Sequence, residues 1–428
     1  MAAGMWLYDL LALFETPQMH EALSVTETHK RLPELDESEM TGAFEYSDAY
    51  MDDDRLVIET LRDAQRMGVH SANYTEVISA QKKGDSVESL TVKDKVSGKE
   101  FKIKAKQVMT SVGPWTDIFG DHIFEDWKKR LRPTKGVHIT FARERFPVSR
   151  AVVMAVEKRI IFVIPRHEMV IVGTTDTDFK DDPVNVTTQQ EDVSYILQAI
   201  DKYFPDLGIK QDDIIACYSG VRPLVNDGSE SEGKTSREHS IFDHGDNLSF
   251  VAGGKYTTYR KMSEDCVDFV LNKMDFNERM SFKASDTKKP LNPLITNNQI
   301  FKIKNEKSHL METYQVSEKN IDFLIERHGQ EALYVLEAMK NDFNLHSEDE
   351  ALWMGEAQFA IEHELCLELE DFYWRRSPLF LSQKDHGLQY LDVISKVFAN
   401  NYGWDESVKK QKQQKLKDQI SKELHWKN

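Results

Sequence analysis

The stretch NLSFVAGGKYTTYRK at residues 247–261 determines how the rest of the chain is interpreted. It opens with an apolar run of the length of a buried strand, passes through Gly253 and Gly254, and leads into a predicted helix over residues 259–274. This arrangement brings unpaired backbone N–H groups and the positive end of a helix dipole to one place. The glycines allow a ligand to approach closely, and Lys255 adds a positive charge. By itself, the stretch fits an ordinary strand-to-helix turn as well as a site for a phosphate or a ring oxygen.

Five further motifs lie in order along the chain. SGVRPL contains Arg222 and TSRE contains Arg237, while FEYSDAYMDDDRLV begins at Phe44, KGVHITF at Lys135 and FVIPRHEMVIVGTTD at Phe162. Together with GGKYTTYRKMSE, these motifs resemble the FAD-dependent glycerol-3-phosphate dehydrogenase family, and the resemblance covers nearly the whole chain. Several motifs in the order of the family are far more specific than any one of them.

The resemblance implies an enzyme that uses FAD to oxidise sn-glycerol 3-phosphate to dihydroxyacetone phosphate and passes the electrons to a quinone. Because quinones lie in the membrane, it also implies a cytoplasmic protein with peripheral contact at the inner face of the cell membrane. A homodimer is compatible with this expectation. An oxidase of the same family, which passes the electrons to oxygen, is an alternative that the residues do not separate from the dehydrogenase.

The resemblance also assigns roles to individual residues. His138 and Arg222 correspond to catalytic positions that flank the reacting hydroxyl. We expect His138 to accept the proton and Arg222 to stabilise the developing alkoxide, and this division of roles is a hypothesis. Arg237 and Lys255 correspond to a clamp on the substrate phosphate, where fixed cations suit a doubly charged group. The positions that correspond to cofactor contacts are Val77, Gly113, Pro114, Trp115, Gly253, Gly254, Thr257 and Thr258.

One feature of the family pattern is missing from this sequence. FAD-binding Rossmann proteins open with a strand and a GxGxxG turn that holds the pyrophosphate. No GxGxxG occurs here, and AAGMWLYDLLALFE at residues 2–15 resembles a stretch well inside the family pattern. We therefore expect a truncated chain without the first βαβ unit. The missing turn leaves open a non-enzymatic remnant or subunit that cannot hold FAD alone.

The predicted fold class is α/β with three parts. Residues 1–287 form an FAD-binding Rossmann-type region interleaved with an antiparallel substrate sheet at about residues 132–245. KKPLNP at residues 288–293 is a predicted linker, because its two prolines interrupt a helix. Residues 294–428 show helical apolar spacing and form a predicted all-α domain.

Several local predictions can be compared with the structure. Residues 54–67 are predicted as an amphipathic helix capped by Asp54, and residues 87–103 as a β-hairpin. The apolar stretch at residues 5–14 is predicted to be a helix packed into the core. Residues 174–176 are interpreted as a simple turn. The Lys- and Gln-rich tail at residues 409–427 is predicted as a solvated helix.

Composition excludes several classes of protein. The formal charge of −17 over 428 residues argues against nucleic acid as a partner, since phosphates would be repelled. The three widely spaced cysteines indicate neither a disulfide framework nor a metal site. His363 and Glu364 lack the second histidine of an HExxH site, so no metal is expected. No apolar run approaches the roughly 20 residues of a membrane span.

Overall fold

The computed structural model describes residues 2–156, 159–226, 238–284, 286–340 and 346–427. Its strands, in chain order, are β1 (Glu21–Leu23), β2 (Ala43–Glu45), β3 (Thr75–Lys83), β4 (Ser86–Asp94), β5 (Glu100–Ile103), β6 (Val108–Thr110), β7 (Leu131–Ala142), β8 (Val152–Val156), β9 (Arg159–Arg166), β10 (Met169–Gly173), β11 (Thr177–Asp178), β12 (Ile214–Val225), β13 (His239–Asp243) and β14 (Leu248–Gly253).

Helices precede, interrupt and follow these strands. In chain order they are α1 (Ala2–Leu11), α2 (Val25–Arg31), α3 (Asp53–Arg66), α4 (Thr116–Ile123), α5 (Gln190–Tyr203), α6 (Tyr259–Leu271), α7 (Phe276–Met280), α8 (Asn297–Asn305), α9 (Lys307–Tyr314), α10 (Glu318–His328), α11 (Ala332–Met339), α12 (Glu348–His363), α13 (Leu369–Asp371), α14 (Leu379–Ser382), α15 (Leu391–Tyr402) and α16 (Glu406–Glu423).

The largest sheet is built around β7. Strand β12 pairs antiparallel along one edge of β7, β10 and β11 pair along the other, and β9 and β8 follow β10. Because side chains alternate along a strand, Val137, Ile139 and Phe141 all point to one face. There they pack with residues of α5 in a fully buried core. Gly136 and His138 therefore point to the opposite face.

Two smaller sheets complete the first part of the chain. Strands β6 and β14 run parallel, and β13 pairs antiparallel with the other side of β14. Strands β3, β4 and β5 form an antiparallel meander that contains the predicted hairpin. The predicted substrate sheet extended to residue 245, but β13 belongs to the sheet of β14. The substrate sheet therefore ends with β12.

The second part of the chain is helical, as predicted, and α3 of the first part is fixed to it. Arg62 of α3 donates two hydrogen bonds to the Glu331 carboxylate, at 2.6 and 2.9 Å. Asn292 donates to the same carboxylate at 2.8 Å and is buried. Arg66 donates to the carbonyl oxygen of Leu291 at 2.6 Å. The segment 288–293 is therefore anchored at its second half by two polar contacts, of which that of Asn292 is buried.

Some local predictions were wrong. Asp52 rather than Asp54 caps α3, because its carboxylate accepts from the Arg55 N–H at 3.4 Å. Helix α1 is not packed into the core, because only its Asp9 is buried and its large apolar side chains are solvent-exposed. The tail is not simply solvated, because Leu416 and Trp426 are buried against the rest of the protein. Among the described residues, no helix combines the length and the apolar character that crossing a membrane requires.

Candidate functional site

The candidate site lies on the face of the large sheet that points away from α5. In the register of β7 and β12, His138 is opposite Tyr218 and Thr134 is opposite Arg222. Residues directly opposite each other in an antiparallel pair share a face. His138, Tyr218 and Arg222 therefore share this face, and the structure brings together the two predicted catalytic residues.

The guanidinium group of Arg222 is held by the segment between β10 and β11. It donates to the Asp176 carboxylate at 2.9 Å and to the Thr174 hydroxyl at 3.0 Å. It also donates to the carbonyl oxygen of Thr175 at 3.2 Å. The guanidinium lies over Gly136, where an added Cβ would come within 2.5 Å of Nη2. Residues 174–176 are thus part of the site rather than a simple turn.

His138 has a different environment. Neither of its ring nitrogens is hydrogen-bonded to another described residue, and both retain solvent access. Burial of the ring, reinforced by the Arg222 cation, lowers the pKa of His138 to about 4. At neutral pH the imidazole is therefore uncharged and can accept a proton from a bound molecule.

The glycine turn of residues 253–254 lies next to the end of β12. Both glycines have positive φ, 74° and 83°, which favours glycine over other residues. A Cβ on Gly253 would be 2.8 Å from a methyl group of Val225. Since Val225 is the last residue of β12 and lies three residues from Arg222, the turn adjoins the end of the strand that carries Arg222.

The parallel strands β6 and β14 end side by side, and each is followed by a short 3-10 helix. Gly113–Trp115 follows β6, and Tyr256–Thr258 follows β14 and leads into α6. Both predicted cofactor turns, including Pro114, therefore lie at one edge of one sheet. In α/β sheets, ligands bind at the carboxyl ends of parallel strands.

The other predicted residues have varied positions. Lys255, Thr257 and Thr258 are exposed on the turn, and Lys255 forms no ion pair with another described residue. Val77 lies in β3, in a different sheet from the turn. Arg237 lies outside the described residues.

The residues present fit the flavin end of FAD. A Cβ on Gly113 would have nothing within 4 Å, so the backbone there faces open space. Thr257 and Thr258 offer hydroxyl groups, and the start of α6 offers a favourable dipole for an electron-rich group. The described residues contain no GxGxxG cradle for the pyrophosphate, in keeping with its absence from the sequence.

A cleft of about 420 Å³ opens beside Tyr218, between the large sheet, the start of α3 and the helical part. Asp54 lines this cleft, where burial and the neighbouring Asp53 raise its pKa to about 6. The Tyr256 hydroxyl donates to the carbonyl oxygen of Asp53 at 3.4 Å, which links the cleft to the glycine turn. Tyr218 is not among the predicted site residues, although alternation along the strand places Tyr218 and Arg222 on one face.

Comparisons with known proteins show which families the chain matches. The family described as FAD dependent oxidoreductase matches residues 6–260, which include every predicted site residue. The family described as C-terminal domain of alpha-glycerophosphate oxidase matches residues 296–409. The predicted linker lies in the stretch between the two matches, residues 261–295.

Two relatives with the same name match almost the whole chain. The aerobic glycerol-3-phosphate dehydrogenase of Bacillus subtilis is 29% identical over 438 residues, covering 99% of this chain and 76% of that protein. The protein of the same name from Staphylococcus aureus strain MRSA252 is 30% identical, covering 93% of this chain and 72% of that protein.

A solved structure is also similar along most of the chain. The glycerol-3-phosphate dehydrogenase from Bacillus halodurans, solved in complex with FAD, superposes with a TM-score of 0.78 at 26% sequence identity. The match covers 94% of this chain and 79% of that one. The predicted α/β fold class is thereby confirmed. From the matched sequence, the shared fold and the site on the sheet, it follows that the chain belongs to the FAD-dependent oxidoreductase family, among the aerobic glycerol-3-phosphate dehydrogenases.

Proposed function

We propose that this enzyme oxidises sn-glycerol 3-phosphate to dihydroxyacetone phosphate with FAD as its cofactor. The observation that carries the proposal is the position of His138 and Arg222. They share one face of the sheet, and the glycine turn of residues 253–254 adjoins the end of the strand that carries Arg222. A neutral base and a fixed cation at one place are what removal of a proton from an alcohol requires.

Residues Gly113, Gly253, Gly254, Thr257 and Thr258 would hold the flavin end of FAD. When bound, FAD supplies the hydride acceptor for the substrate carbon. The protein has to orient the alcohol, accept its proton and exclude water. These tasks fall to residues on the sheet and the turn.

His138 would accept the hydroxyl proton at a ring nitrogen that is not engaged elsewhere. With a pKa of about 4, the free enzyme holds the imidazole neutral, but such an imidazole is a weak base at pH 7. A bound phosphate dianion counteracts the Arg222 cation and raises the pKa of His138 toward neutrality. Substrate binding would thus make the base stronger.

Arg222 would stabilise the alkoxide that develops as the proton leaves. Guanidinium remains charged at any physiological pH, so it acts as a donor rather than as a base. Its contacts with Asp176 and Thr174 preorganise the group before substrate arrives. Preorganised donors of this kind contribute about 10²–10³-fold to rate.

Arg237 and Lys255 remain the proposed phosphate clamp. Lys255 is exposed at the turn and has no competing carboxylate among the described residues. A hydrogen bond to a charged group contributes about 1.5–3 kcal/mol. Loss of either cation should therefore raise KM for glycerol 3-phosphate by about one to two orders of magnitude.

The visible absorbance spectrum of the purified chain tests the proposal directly. We expect a flavin spectrum, after incubation with FAD, that bleaches when glycerol 3-phosphate is added without oxygen. Glycerol and inorganic phosphate, tested separately, are the controls and should not bleach it. If no flavin is retained, the chain is the non-enzymatic remnant or subunit that the missing GxGxxG turn leaves open. Flavin that does not bleach would exclude the substrate.

The role of His138 has its own test. Under the proposal, kcat/KM for the wild type falls as pH drops through the acidic pKa of His138, because the imidazolium cannot accept a proton. In the His138→Ala variant this acidic limb should disappear, and the remaining rate should be about 10²–10⁴-fold lower. An acidic limb that persists in the variant would exclude His138 as the base.

We propose a quinone as the electron acceptor. The support is that the matched relatives are named dehydrogenases. The oxidase alternative is kept because the C-terminal match is to an oxidase domain. Anaerobic turnover with a water-soluble quinone analogue, compared with hydrogen peroxide release in air, separates the two acceptors.

A membrane quinone would place the enzyme at the cytoplasmic face of the cell membrane. We propose peripheral attachment there, which co-sedimentation with anionic lipid vesicles at low and high salt would test. A homodimer is part of the same proposal and is tested by light scattering at several protein concentrations.

A further inference from the structure

We infer that Tyr218 is a positioning residue that fixes the imidazole of His138 against the backbone of Gly173. The inference rests on the proposed role of His138 as proton acceptor. It assigns to Tyr218 a task that acts through the histidine rather than on the substrate.

The first observation is the stacking of the two rings. The centroids of the Tyr218 and His138 rings are 4.9 Å apart and their planes differ by 13°. The residues are directly opposite in the register of β12 and β7, so the strands themselves hold the rings together. A parallel stack covers one face of the imidazole while leaving the nitrogens at its edge free.

The second observation is the space on the other side of His138. Gly173 of β10 is opposite His138 in the register of the next strand pair. A Cβ on Gly173 would come within 2.8 Å of Cγ of His138 and would also collide with Cδ2. The imidazole therefore occupies space that any other residue at position 173 would fill. It is confined between this glycine and the tyrosine ring.

The third observation is that packing replaces hydrogen bonds at this histidine. Other enclosed imidazoles in the described part of the chain are fixed by hydrogen bonds. Asp9 accepts from His20 at 2.5 Å, Glu356 pairs with His328 at 2.8 Å, and the Phe380 carbonyl pairs with His386 at 3.1 Å. His138 has no such partner among the described residues. Its orientation must therefore come from Tyr218 and Gly173.

The fourth observation is that Tyr218 separates His138 from the acidic cleft. Tyr218 lines the cleft together with Asp53 and Asp54. These carboxylates act on the Tyr218 hydroxyl, whereas the pKa of His138 responds to burial and to Arg222. The tyrosine ring thus keeps the water and the negative charge of the cleft away from the face of the imidazole that it covers. Its removal should let both reach His138 and favour the imidazolium.

The test measures the titration of His138 itself, by NMR of histidine-labelled protein with His138→Gln used to assign the signal. The variants are Tyr218→Phe, which keeps the ring, and Tyr218→Leu, which removes it. Trp374→Leu is the matched control, because Trp374 lines the same cleft and stacks on Phe380 instead. We expect the pKa of His138 to stay within about 0.3 units in Tyr218→Phe and Trp374→Leu, and to rise by about one unit or more in Tyr218→Leu.

A second variant covers the possibility that Tyr218→Leu does not fold. Gly173→Ala leaves the tyrosine in place and displaces the imidazole from the other side. It should change the chemical shift and the titration of His138. Equal pKa values in Tyr218→Leu and Tyr218→Phe, or an unchanged His138 signal in Gly173→Ala, would overturn the inference.

Turnover adds an independent measurement. Misplacing a base by about 1 Å costs about 10²-fold in rate. We therefore expect kcat to fall by 10–100-fold in Tyr218→Leu and by less than about threefold in Tyr218→Phe. Because the NMR titration needs neither FAD nor substrate, failure of the proposed oxidation would leave it interpretable. Failure of the inference about Tyr218 and failure of the proposed oxidation are therefore distinguishable.

Discussion

Two histidines of this protein, His138 and His328, have opposite surroundings. His328 is fully buried in the helical part, 2.8 Å from the Glu356 carboxylate, with Arg327 on the same carboxylate at 3.3 Å. His138 faces a cation, Arg222, and its nitrogens have no partner among the described residues. One imidazole is fixed by charge and the other by packing.

Under the proposed function, the difference separates a structural histidine from a reactive one. An imidazole paired with a carboxylate is held in place, but its proton is already committed. An imidazole next to a guanidinium group is kept neutral and available. The helical part therefore contains an imidazole paired with a carboxylate, whereas the imidazole on the sheet has no hydrogen-bond partner among the described residues. The predictions that follow test this distinction.

The largest expected effect is on stability, in Glu356→Gln. Removing the carboxylate leaves Arg327 and His328 without their common partner, and breaking such a buried pair costs about 3–5 kcal/mol. Denaturant unfolding at pH 7 measures this loss in the free energy of unfolding. Flavin binding by the folded fraction should be unchanged, since Glu356 lies in the helical part.

The loss of stability in the same variant should depend on pH. Although burial opposes it, the charges of Arg327 and His328 lower the pKa of Glu356 from 4.5 to about 2. The stabilisation by the carboxylate is thus fully present above pH 4.5 and is lost as pH falls toward 2. The stability difference between wild type and Glu356→Gln should shrink over that range. A difference that is constant from pH 7 to pH 3 would contradict this account.

The second effect is on catalysis, in Arg222→Gln. We expect kcat/KM to fall by about 10²–10³-fold, equivalent to about 3–4 kcal/mol, because the alkoxide loses its fixed cation. The pKa of His138 should rise, since one of the two causes that lower it is removed. Arg132→Gln is the matched control on the neighbouring strand. Arg132 pairs with Asp178 at 3.1 Å, and the variant should retain activity within about threefold.

A smaller effect is expected for Gly136→Ala. The added methyl group would stand 2.5 Å from Nη2 of Arg222, so the guanidinium must move away from its present position. We expect kcat/KM to fall about 10-fold, or about 1.4 kcal/mol, with little change in unfolding. Gly220→Ala is the control, because nothing lies within 4 Å of its added Cβ. Equal activity of the two variants would show that the position of Arg222 is not critical.

The smallest effect is expected for an exposed histidine pair. His167 lies 3.1 Å from Glu326, and both side chains are about half exposed. His167→Gln should change stability by less than about 0.5 kcal/mol, because solvent screens such a pair. Unfolding at low and high salt measures it. A cost similar to that of Glu356→Gln would mean that burial does not distinguish the two pairs.

Much of the fold could be predicted from the sequence. Apolar periodicity gave the hairpin of residues 87–103 and the helical second part, and the ordered motifs gave the family. The order of motifs also predicted that His138 and Arg222 act together, and the register of β7 and β12 places them on one face. Periodic patterns and chain order are local information that a sequence carries directly.

What was missed depends on contacts between distant segments. The carboxylate of Asp176 is 46 residues from its partner Arg222, and nothing in GTTD indicates which cation it meets. Tyr218 was overlooked because a tyrosine in a strand is usually only a packing residue. Asp52 caps α3 in place of Asp54. Three consecutive aspartates offer three candidate caps, and the sequence does not distinguish among them. Helix α1 shows the apolar composition of a core helix, yet composition does not say what covers it.

The contact between Trp426 and Cys217 has a consequence for synthesis. The indole Nε1–H donates to the Cys217 sulfur at 2.8 Å across 209 residues of sequence, and Trp426 belongs to the core beneath the large sheet. The sheet therefore cannot complete its core until residue 426 has been made, even though all its strands are made before residue 226. Until residue 426 is translated, apolar surface beneath β12 stays open, and it is during this interval that chaperones have the greatest opportunity to bind.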